Sequence, residues 1–379
     1  MKVHNFSAGP SILPESVIQE AAKAVIELEN TGLSLLEISH RSSYFINIIE
    51  KAKALTKELL NISEEYEVLF LQGGASLQFY MSALNFATAK GKSGYIDTGT
   101  WSSKAIKESE KMTQLQAAGE TLIVASSKDK NYNYIPKNIT INQPLDYLHF
   151  TSNNTIYGTQ FHSFKNVTES IQDAASTYLI CDMSSDIFSK KINVNDFDLI
   201  YAGAQKNLGP AGATLIIVRK DLFRKNPHNT NLNSRNHKHL PTYLNYSTHI
   251  EKESMFNTPP VFSIYVCMLT LKWLKKLGGI SVIEERNKKK AEIIYSEIDR
   301  NSLFEGYTNK NDRSNMNATF ILKKEELIDQ FNKLCNDAQI NGIHGHRSVG
   351  GYRASMYNAL DVESVNTLVE VMKTLEKKA

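Results

Sequence analysis

A lysine surrounded by small residues is the feature of this sequence with the clearest chemical meaning. Lys206 lies in the stretch 201–214, which follows a short apolar run and is rich in alanine and glycine. Small neighbours leave room for a planar ligand, and partial enclosure lowers the pKa of an amine, which suits Schiff-base chemistry. A lysine on a solvated loop is the common alternative, but seven alanine or glycine residues make a poor solvated loop.

Three further segments could surround an electron-accepting aromatic cofactor. Asp182 ends the apolar run 178–181, where an acid could keep a ring nitrogen protonated, or could simply begin a turn. The segment 72–79 contains paired glycines and opens a helix, so its amides could bind an anion or form an ordinary turn. Trp101 follows a polar turn and could stack on a ring or pack in the core.

Two His-Arg pairs and a further arginine could recognise a substrate with several negative charges. The pairs are His40-Arg41 and His346-Arg347, and Arg353 follows in the same glycine-rich segment. Arginine matches both carboxylate and phosphate groups, although surface ion pairs are its usual fate. The histidines lack metal-ligand spacing, so no metal site is predicted.

The bulk composition indicates an ordinary globular protein of two domains. The chain has 379 residues, and its 43 basic and 40 acidic residues leave a net charge of +3, too small to imply a nucleic-acid partner. The run 288–290 is interpreted as a solvated helix face. Three distant cysteines are predicted to be buried and reduced. The sequence shows neither a signal peptide nor an 18-residue apolar run, so we expect a cytoplasmic protein without a membrane partner.

Alternating helix and strand patterns predict an α/β fold with a mostly parallel sheet covered by helices. Apolar runs predict strands at 68–71, 147–150, 178–181, 199–201 and 214–218. Helical periodicity predicts helices at 15–30, 45–60, 261–277 and 281–299. The polar segment 226–246 is interpreted as a long surface excursion. The remainder, up to residue 379, indicates a smaller α/β domain.

Five segments together resemble the phosphoserine aminotransferase family, within the class V aminotransferases of fold type I. They are residues 5–10, 37–41, 201–212, 254–260 and 345–357. The resemblance implies pyridoxal 5'-phosphate as cofactor and a homodimer with shared active sites. It also implies a large cofactor-binding domain at 16–255 and a small domain formed by 1–15 and 256–379.

The resemblance assigns a role to each candidate residue. Lys206 would bind the cofactor and shuttle protons, Asp182 would contact the ring nitrogen, and Trp101 would stack on the ring. The remaining cofactor contacts would be Ala75, Ser76, Thr155 and Gln205, with Asn257 and Thr258 reaching the cofactor phosphate of the other subunit. Substrate anions would be bound by Arg353, His346 and Arg347, and by His40 and Arg41 of the neighbouring chain. Some family members carry arginine where Ser76 stands, which would shift distal-anion binding towards Arg41 and Arg347.

The implied activity is transamination between L-glutamate and 3-phosphohydroxypyruvate in serine biosynthesis, and the phosphohydroxythreonine step of pyridoxine biosynthesis is a further expectation. Two alternatives stay open at this point. One is another class V enzyme, such as an alanine–glyoxylate transaminase or a cysteine desulfurase, and the other is a non-catalytic binding protein with the same fold. A desulfurase needs a reactive cysteine on a mobile loop, which none of the three cysteines offers. A non-catalytic relative would be expected to carry an added DNA-binding domain.

Overall fold

The structure is a computed structural model that describes residues 2–171, 177–223 and 240–379. Its strands are β1 (His4–Asn5), β2 (Tyr66–Leu71), β3 (Lys92–Asp97), β4 (Glu120–Ser126), β5 (Tyr147–Thr151), β6 (Asn153–Asn154), β7 (Thr159–Gln160), β8 (Tyr178–Asp182), β9 (Leu199–Gly203), β10 (Thr214–Arg219), β11 (Phe304–Gly306), β12 (Asn317–Leu322), β13 (Ile340–Asn341) and β14 (Tyr352–Ser355). Its helices are α1 (Glu15–Ile26), α2 (Ser43–Leu60), α3 (Gly74–Phe86), α4 (Thr100–Gln114), α5 (Lys165–Ser170), α6 (Tyr246–Glu251), α7 (Val261–Lys276), α8 (Gly279–Arg300), α9 (Ile328–Asp337) and α10 (Val362–Lys378).

A seven-stranded sheet in the order β2-β10-β9-β8-β5-β3-β4 forms the centre of the molecule. Its neighbouring strands run parallel, except that β10 is antiparallel to both β2 and β9. Alternate strand residues pack on opposite faces, against α1, α2 and α7 on one side and against α3 and α4 on the other. Both faces are covered, which explains why most of its central strands are apolar, and the predicted mostly parallel sheet is confirmed.

A second core surrounds the antiparallel sheet β11-β12-β14 and the helices α8, α9 and α10. The N-terminal strand β1 pairs in parallel with β13, and Phe6 lies in this second core. Helix α7 packs with the large sheet, whereas α8 contributes Ile283 to the first core and Ile294 to the second. The domain division 16–255 against 1–15 and 256–379 stays a prediction.

Several expectations drawn from the local sequence need correction. The first helix ends at Ile26 rather than near residue 30, because Glu29 and Asn30 have left-handed backbone conformations with φ of 46° and 59°. Strands β3 and β4 were not predicted, since β3 is short of apolar residues and β4 is a partly exposed edge strand. The run 288–290 is not wholly a solvated face, because Lys290 is 1% exposed.

The predicted burial of the cysteines agrees with the described chain. All three cysteines are buried and free of disulfides. None of the helices in the described ranges is both long and apolar enough to cross a membrane. Within those same ranges, no group of His, Cys, Asp and Glu side chains could hold a metal ion. Most of the predicted excursion, residues 226–239, lies outside the described residues.

Candidate active site

The carboxyl ends of β8 and β9 bring the predicted acid and the predicted lysine to one edge of the large sheet. Asp182 is the last residue of β8, and Lys206 follows the last residue of β9 by three positions. These strands are parallel neighbours, so both ends open towards the same side, where ligands of open α/β sheets bind. The two residues are distant in the sequence, and the pairing of β8 with β9 brings them to the same edge of the sheet.

Asp182 is a buried carboxylate with no cation of its own. Its Oδ1 accepts hydrogen bonds from the Ser184 amide at 2.9 Å and from the Ser184 hydroxyl at 2.6 Å. Burial raises the pKa of the Asp182 carboxyl, and the Ser184 hydrogen bonds and the Lys206 charge oppose that rise. No basic side chain of the described residues lies within ion-pair distance of it, so Asp182 is suited to a ligand that carries a positive charge.

Lys206 is an amine whose protonation is shifted by its surroundings. Its Nζ donates a hydrogen bond to Thr155 Oγ1 at 2.9 Å. The pKa of Lys206 is lowered from 10.5 to about 8: burial is the largest cause, the charge of Asp182 opposes it, and the charge of Arg353 adds to it. Near neutral pH a far larger fraction of this amine is therefore neutral than of a solvated lysine, as nucleophilic and proton-transfer chemistry requires.

Trp101 lies in the first turn of α4, and a polar network fixes that turn. The Asp97 carboxylate accepts hydrogen bonds from the hydroxyls of Ser102 at 3.0 Å, Ser103 at 2.8 Å and Tyr132 at 3.0 Å. The Lys206 Nζ lies 5.5 Å from the centroid of the Trp101 ring. Trp101 Nε1 is buried without an acceptor among the described residues. The structure thus places the predicted stacking residue beside the predicted lysine.

The start of α3 provides unpaired amides at the same edge of the sheet. Strand β2 runs in the same direction as β9, because β10 is antiparallel to both, and α3 follows β2 directly. Gly73 and Gly74 have φ of 88° and 63°, and Ala75 and Ser76 form the first helical turn. A helix N-terminus of this kind binds phosphate through its amides and its dipole.

Asn257 and Thr258 lie next to this helix start within the same chain. Asn257 Nδ2 donates to Gln72 Oε1 at 3.2 Å, and Gln72 Nε2 donates to the Thr258 carbonyl oxygen at 3.1 Å. Both residues are exposed. Their predicted contact with the cofactor of another subunit stays a prediction.

Gln205 is packed against the N-terminal segment. Its carbonyl oxygen accepts a hydrogen bond from the Ser11 amide at 2.9 Å, and the Ser11 hydroxyl bonds to the carbonyl oxygen of Lys206. The Gln205 side chain also lies over Gly203, where a Cβ atom would come within 2.5 Å of Gln205 Oε1. The segment before α1 therefore helps to orient the loop that carries Lys206.

Arg353 on β14 lies near Lys206, and the cationic residues of the loop before β14 lie near Arg353. Arg353 is partly buried, its Nε has no acceptor among the described residues, and its charge acts on Lys206. Burial lowers the pKa of His346, and the charges of Arg353, Arg347 and Lys104 lower it further. The structure therefore groups three of the five predicted anion-binding residues, and one of them, Arg353, acts on Lys206.

His40 and Arg41 are placed differently. They lie on the turn before α2, where Arg41 is exposed and its amide donates to Ser39 Oγ at 3.2 Å. No hydrogen bond or ion pair between described residues links either one to Lys206. Within a single chain, the structure does not bring them into the site.

Two residues that the sequence did not suggest belong to this region. Asn154 is 1% exposed, and neither its amide nitrogen nor its amide oxygen has a partner in the described chain, although it precedes the lysine's acceptor Thr155. Lys104 lies over the Trp101 ring at 4.5 Å. The two consecutive asparagines at 153–154 could have indicated a polar site in the sequence. Nothing in the sequence distinguishes Lys104 from other exposed lysines on helices.

Comparison with known proteins identifies the family. The profile of the class V aminotransferases matches residues 3–368. The phosphoserine aminotransferase of Flavobacterium psychrophilum is 53% identical over 379 residues, and that of Porphyromonas gingivalis is 50% identical over 380, each covering all of both chains. The chain belongs to the class V aminotransferases.

Solved structures agree with the assignment of this chain to the class V aminotransferases. The phosphoserine aminotransferase from Bacillus circulans subsp. alkalophilus superposes with a TM-score of 0.90 at 42% identity, covering 100% of this chain and 99% of that one. The pyridoxal-phosphate-bound enzyme from Trichomonas vaginalis gives a TM-score of 0.87 at 32% identity, covering 98% and 100%. A further structure, described as showing radiation damage of the Schiff base in phosphoserine aminotransferase, is 44% identical. The expected fold class is confirmed, and pyridoxal phosphate is the cofactor of this family.

The residues present fit that cofactor. The unpaired amides of α3 suit its phosphate, and the uncompensated carboxylate of Asp182 suits a protonated ring nitrogen. Lys206 has the lowered pKa that its aldehyde requires, and Trp101 offers a ring face beside it. Orphaned buried atoms on Trp101, Asn154 and Arg353 are consistent with a ligand between them.

Proposed function

We propose that this aminotransferase converts L-glutamate and 3-phosphohydroxypyruvate into 2-oxoglutarate and O-phospho-L-serine, a step of serine biosynthesis. The observation that carries the proposal is a group of cations that reaches Lys206 through Arg353. The charge of Arg353 acts on Lys206, and the charges of Arg353, Arg347 and Lys104 all act on His346. Full-length relatives at about half identity are named phosphoserine aminotransferases.

The cations divide into two groups that match the two anionic ends of each substrate. Arg353, with its unpaired and buried Nε, would bind the α-carboxylate through its planar fork. His346 and Arg347, on the loop before β14, would bind the distal phosphate or γ-carboxylate. Glutamate and phosphoserine both carry an anion at each end, so one site serves both acids.

Residues of this chain would supply the acid–base chemistry. When bound, the cofactor accepts the electron pair left on the substrate α-carbon as its proton departs. Lys206, freed as a neutral amine, would remove the proton from that carbon and deliver it to a carbon of the cofactor. Asp182 would keep the proton on the ring nitrogen, and Trp101 would cover one ring face. Thr155, which already accepts a hydrogen bond from Lys206, would help to position the amine.

A homodimer would complete this site. His40 and Arg41 lie away from the site of their own chain, between exposed apolar residues: Leu33 is 44% exposed, Leu36 63% and Tyr44 44%. Such side chains are covered when a second subunit packs on them. We infer that His40 and Arg41 reach the distal anion of the partner, and that Asn257 and Thr258 reach its cofactor phosphate. A cytoplasmic location remains an expectation.

A coupled assay tests the proposed function. Purified enzyme is given pyridoxal phosphate, 2-oxoglutarate and O-phospho-L-serine, and glutamate production is followed, with L-alanine as the control amino donor. We expect strong turnover with phosphoserine and little with alanine. Turnover with alanine alone would assign the enzyme to another class V transamination, and failure with both would contradict the proposal.

The variant Lys206→Ala tests the role of the lysine in the same assay. We expect it to lose turnover and the absorbance band of the Schiff base between lysine and cofactor, because the variant lacks the amine that forms this bond. Normal turnover in Lys206→Ala would refute the assignment of Lys206.

A further inference from the structure

We propose that Lys104 is an additional anion-binding residue of this site, which contacts the phosphate of the phosphorylated substrate and favours that substrate over glutamate. The inference rests on the proposed function and deepens it. Lys104 lies outside the five segments that resemble the family.

The first observation is the position of Lys104 relative to the site. Lys104 follows Trp101 by three residues on α4, so the two side chains share one face of the helix. Its Nζ lies 4.5 Å from the centroid of the Trp101 ring, and the Lys206 Nζ lies 5.5 Å from the same centroid. Both ammonium groups therefore border one aromatic ring.

The second observation is that Lys104 has no acid to neutralise it. It is exposed, and no carboxylate within the described ranges lies at ion-pair distance from it. Lys111, two turns farther along the same helix, instead pairs with Glu108 at 2.8 Å. The Lys104 ammonium is thus available to a ligand, whereas Lys111 is occupied.

The third observation is that the charged neighbours of Lys104 are cations. Its charge acts on His346 together with those of Arg347 and Arg353, and all of them lower the pKa of that histidine after burial. Like charges at close range repel one another unless an anion lies between them. Because Lys104 acts on His346, we place it at the distal-anion end of the substrate.

The chemistry of the two substrates explains why this charge would discriminate between them. A phosphomonoester carries a charge of about −1.5 to −2 at neutral pH, whereas a carboxylate carries −1. An additional cation therefore stabilises the phosphorylated acid more than glutamate. A lysine ammonium is a compact point charge on a flexible stem, which can follow a rotating phosphate group. The competing interpretation is that Lys104 only supports Trp101 through a cation–π contact.

Half-reactions of the holoenzyme separate these interpretations. The enzyme is mixed with one amino acid at a time, O-phospho-L-serine or L-glutamate, and the cofactor absorbance is followed to obtain an apparent Kd and a limiting rate. Lys104→Met keeps an unbranched stem against the ring but removes the charge, and Lys104→Arg retains the charge. Lys107→Met is the matched control, because Lys107 is exposed one turn farther along α4. Competition by inorganic phosphate provides a binding measurement without turnover.

We expect Lys104→Met to raise the apparent Kd for phosphoserine about tenfold and that for glutamate by less than about threefold, with limiting rates nearly unchanged. Lys104→Arg and Lys107→Met should behave like the wild type, and inhibition by phosphate should weaken only in Lys104→Met. Equal weakening of both amino acids, or no change, would overturn the inference. If Lys104→Met fails to fold, the selectivity for phosphoserine over glutamate is measured at high salt in the wild type and in Lys104→Arg. Loss of that selectivity would support the inference, and unchanged selectivity would overturn it. No reaction of the wild type with phosphoserine would refute the proposed function itself.

Discussion

The rate at which the apoenzyme captures pyridoxal phosphate should depend on pH through the Lys206 amine. Only the neutral amine attacks the aldehyde carbon. Burial lowers the pKa of Lys206 from 10.5 to about 8. Near pH 7.5, roughly a quarter of such a lysine is neutral, compared with roughly 0.1% of an ordinary lysine. The site therefore supplies about 200-fold more nucleophile at this pH than a solvated lysine would.

The charges next to Lys206 predict how variants shift this pH dependence. Arg353 lowers the pKa of Lys206, so Arg353→Met should move the midpoint of the rate profile to higher pH. Asp182 raises that pKa, so Asp182→Asn should move the midpoint to lower pH. Burial is the largest cause and remains in both variants, so both midpoints should stay below 10.5.

Stopped-flow absorbance of apoenzyme mixed with pyridoxal phosphate, in amine-free buffers between about pH 6 and 10, measures this midpoint. Arg347→Met is the control, because Arg347 does not act on Lys206 and its loss should leave the midpoint unchanged. A wild-type midpoint near 10.5 would refute the argument from burial. A downward shift in Arg353→Met would refute the argument from charge.

Two further predictions concern positions outside the reacting groups. Lys290→Met should lower the free energy of unfolding by about 3–5 kcal/mol, because three buried carbonyl oxygens lose their donor, whereas the exposed Lys289→Met should change it by less than about 0.5 kcal/mol. Equal midpoints in urea unfolding would contradict this. Gly99→Ala should weaken cofactor binding at least about tenfold in absorbance titrations, because its Cβ would lie 2.4 Å from Asn154 Nδ2 at a φ of 147°. Gly32→Ala, also at positive φ but in open space, should bind normally.

The strands of the sheet centre could be predicted because burial on both faces makes each of them a continuous apolar run. The predicted runs 68–71, 178–181 and 214–218 fall within β2, β8 and β10. The edge strand β4 contains the apolar run 122–125 but was not predicted, and its residues are only partly buried. An apolar run therefore does not by itself report how deeply a strand is buried.

Lys290 illustrates a limit of pattern reading on helices. Three consecutive lysines at 288–290 look like a solvated face, and Lys288 does pair with Glu284 and Glu285 on the surface. Two positions later on the helix, the Lys290 Nζ donates to the carbonyl oxygens of Met356, Tyr357 and Leu360. These acceptors come from a segment about seventy residues away, which no local pattern contains.

The sequence by itself determined the chemistry of the site, because the lysine among small residues, the acid at a strand end and the glycine-opened helix are each set by a few adjacent residues. Only the tertiary structure decided which charges share the pocket. It placed Arg353 near Lys206 and His346 near Arg353, left His40 and Arg41 outside the site of their own chain, and brought Lys104 to the Trp101 ring. The physical reason is that electrostatic and hydrogen-bonding partners are selected by distance in space, and strand pairing and domain packing set that distance independently of sequence separation.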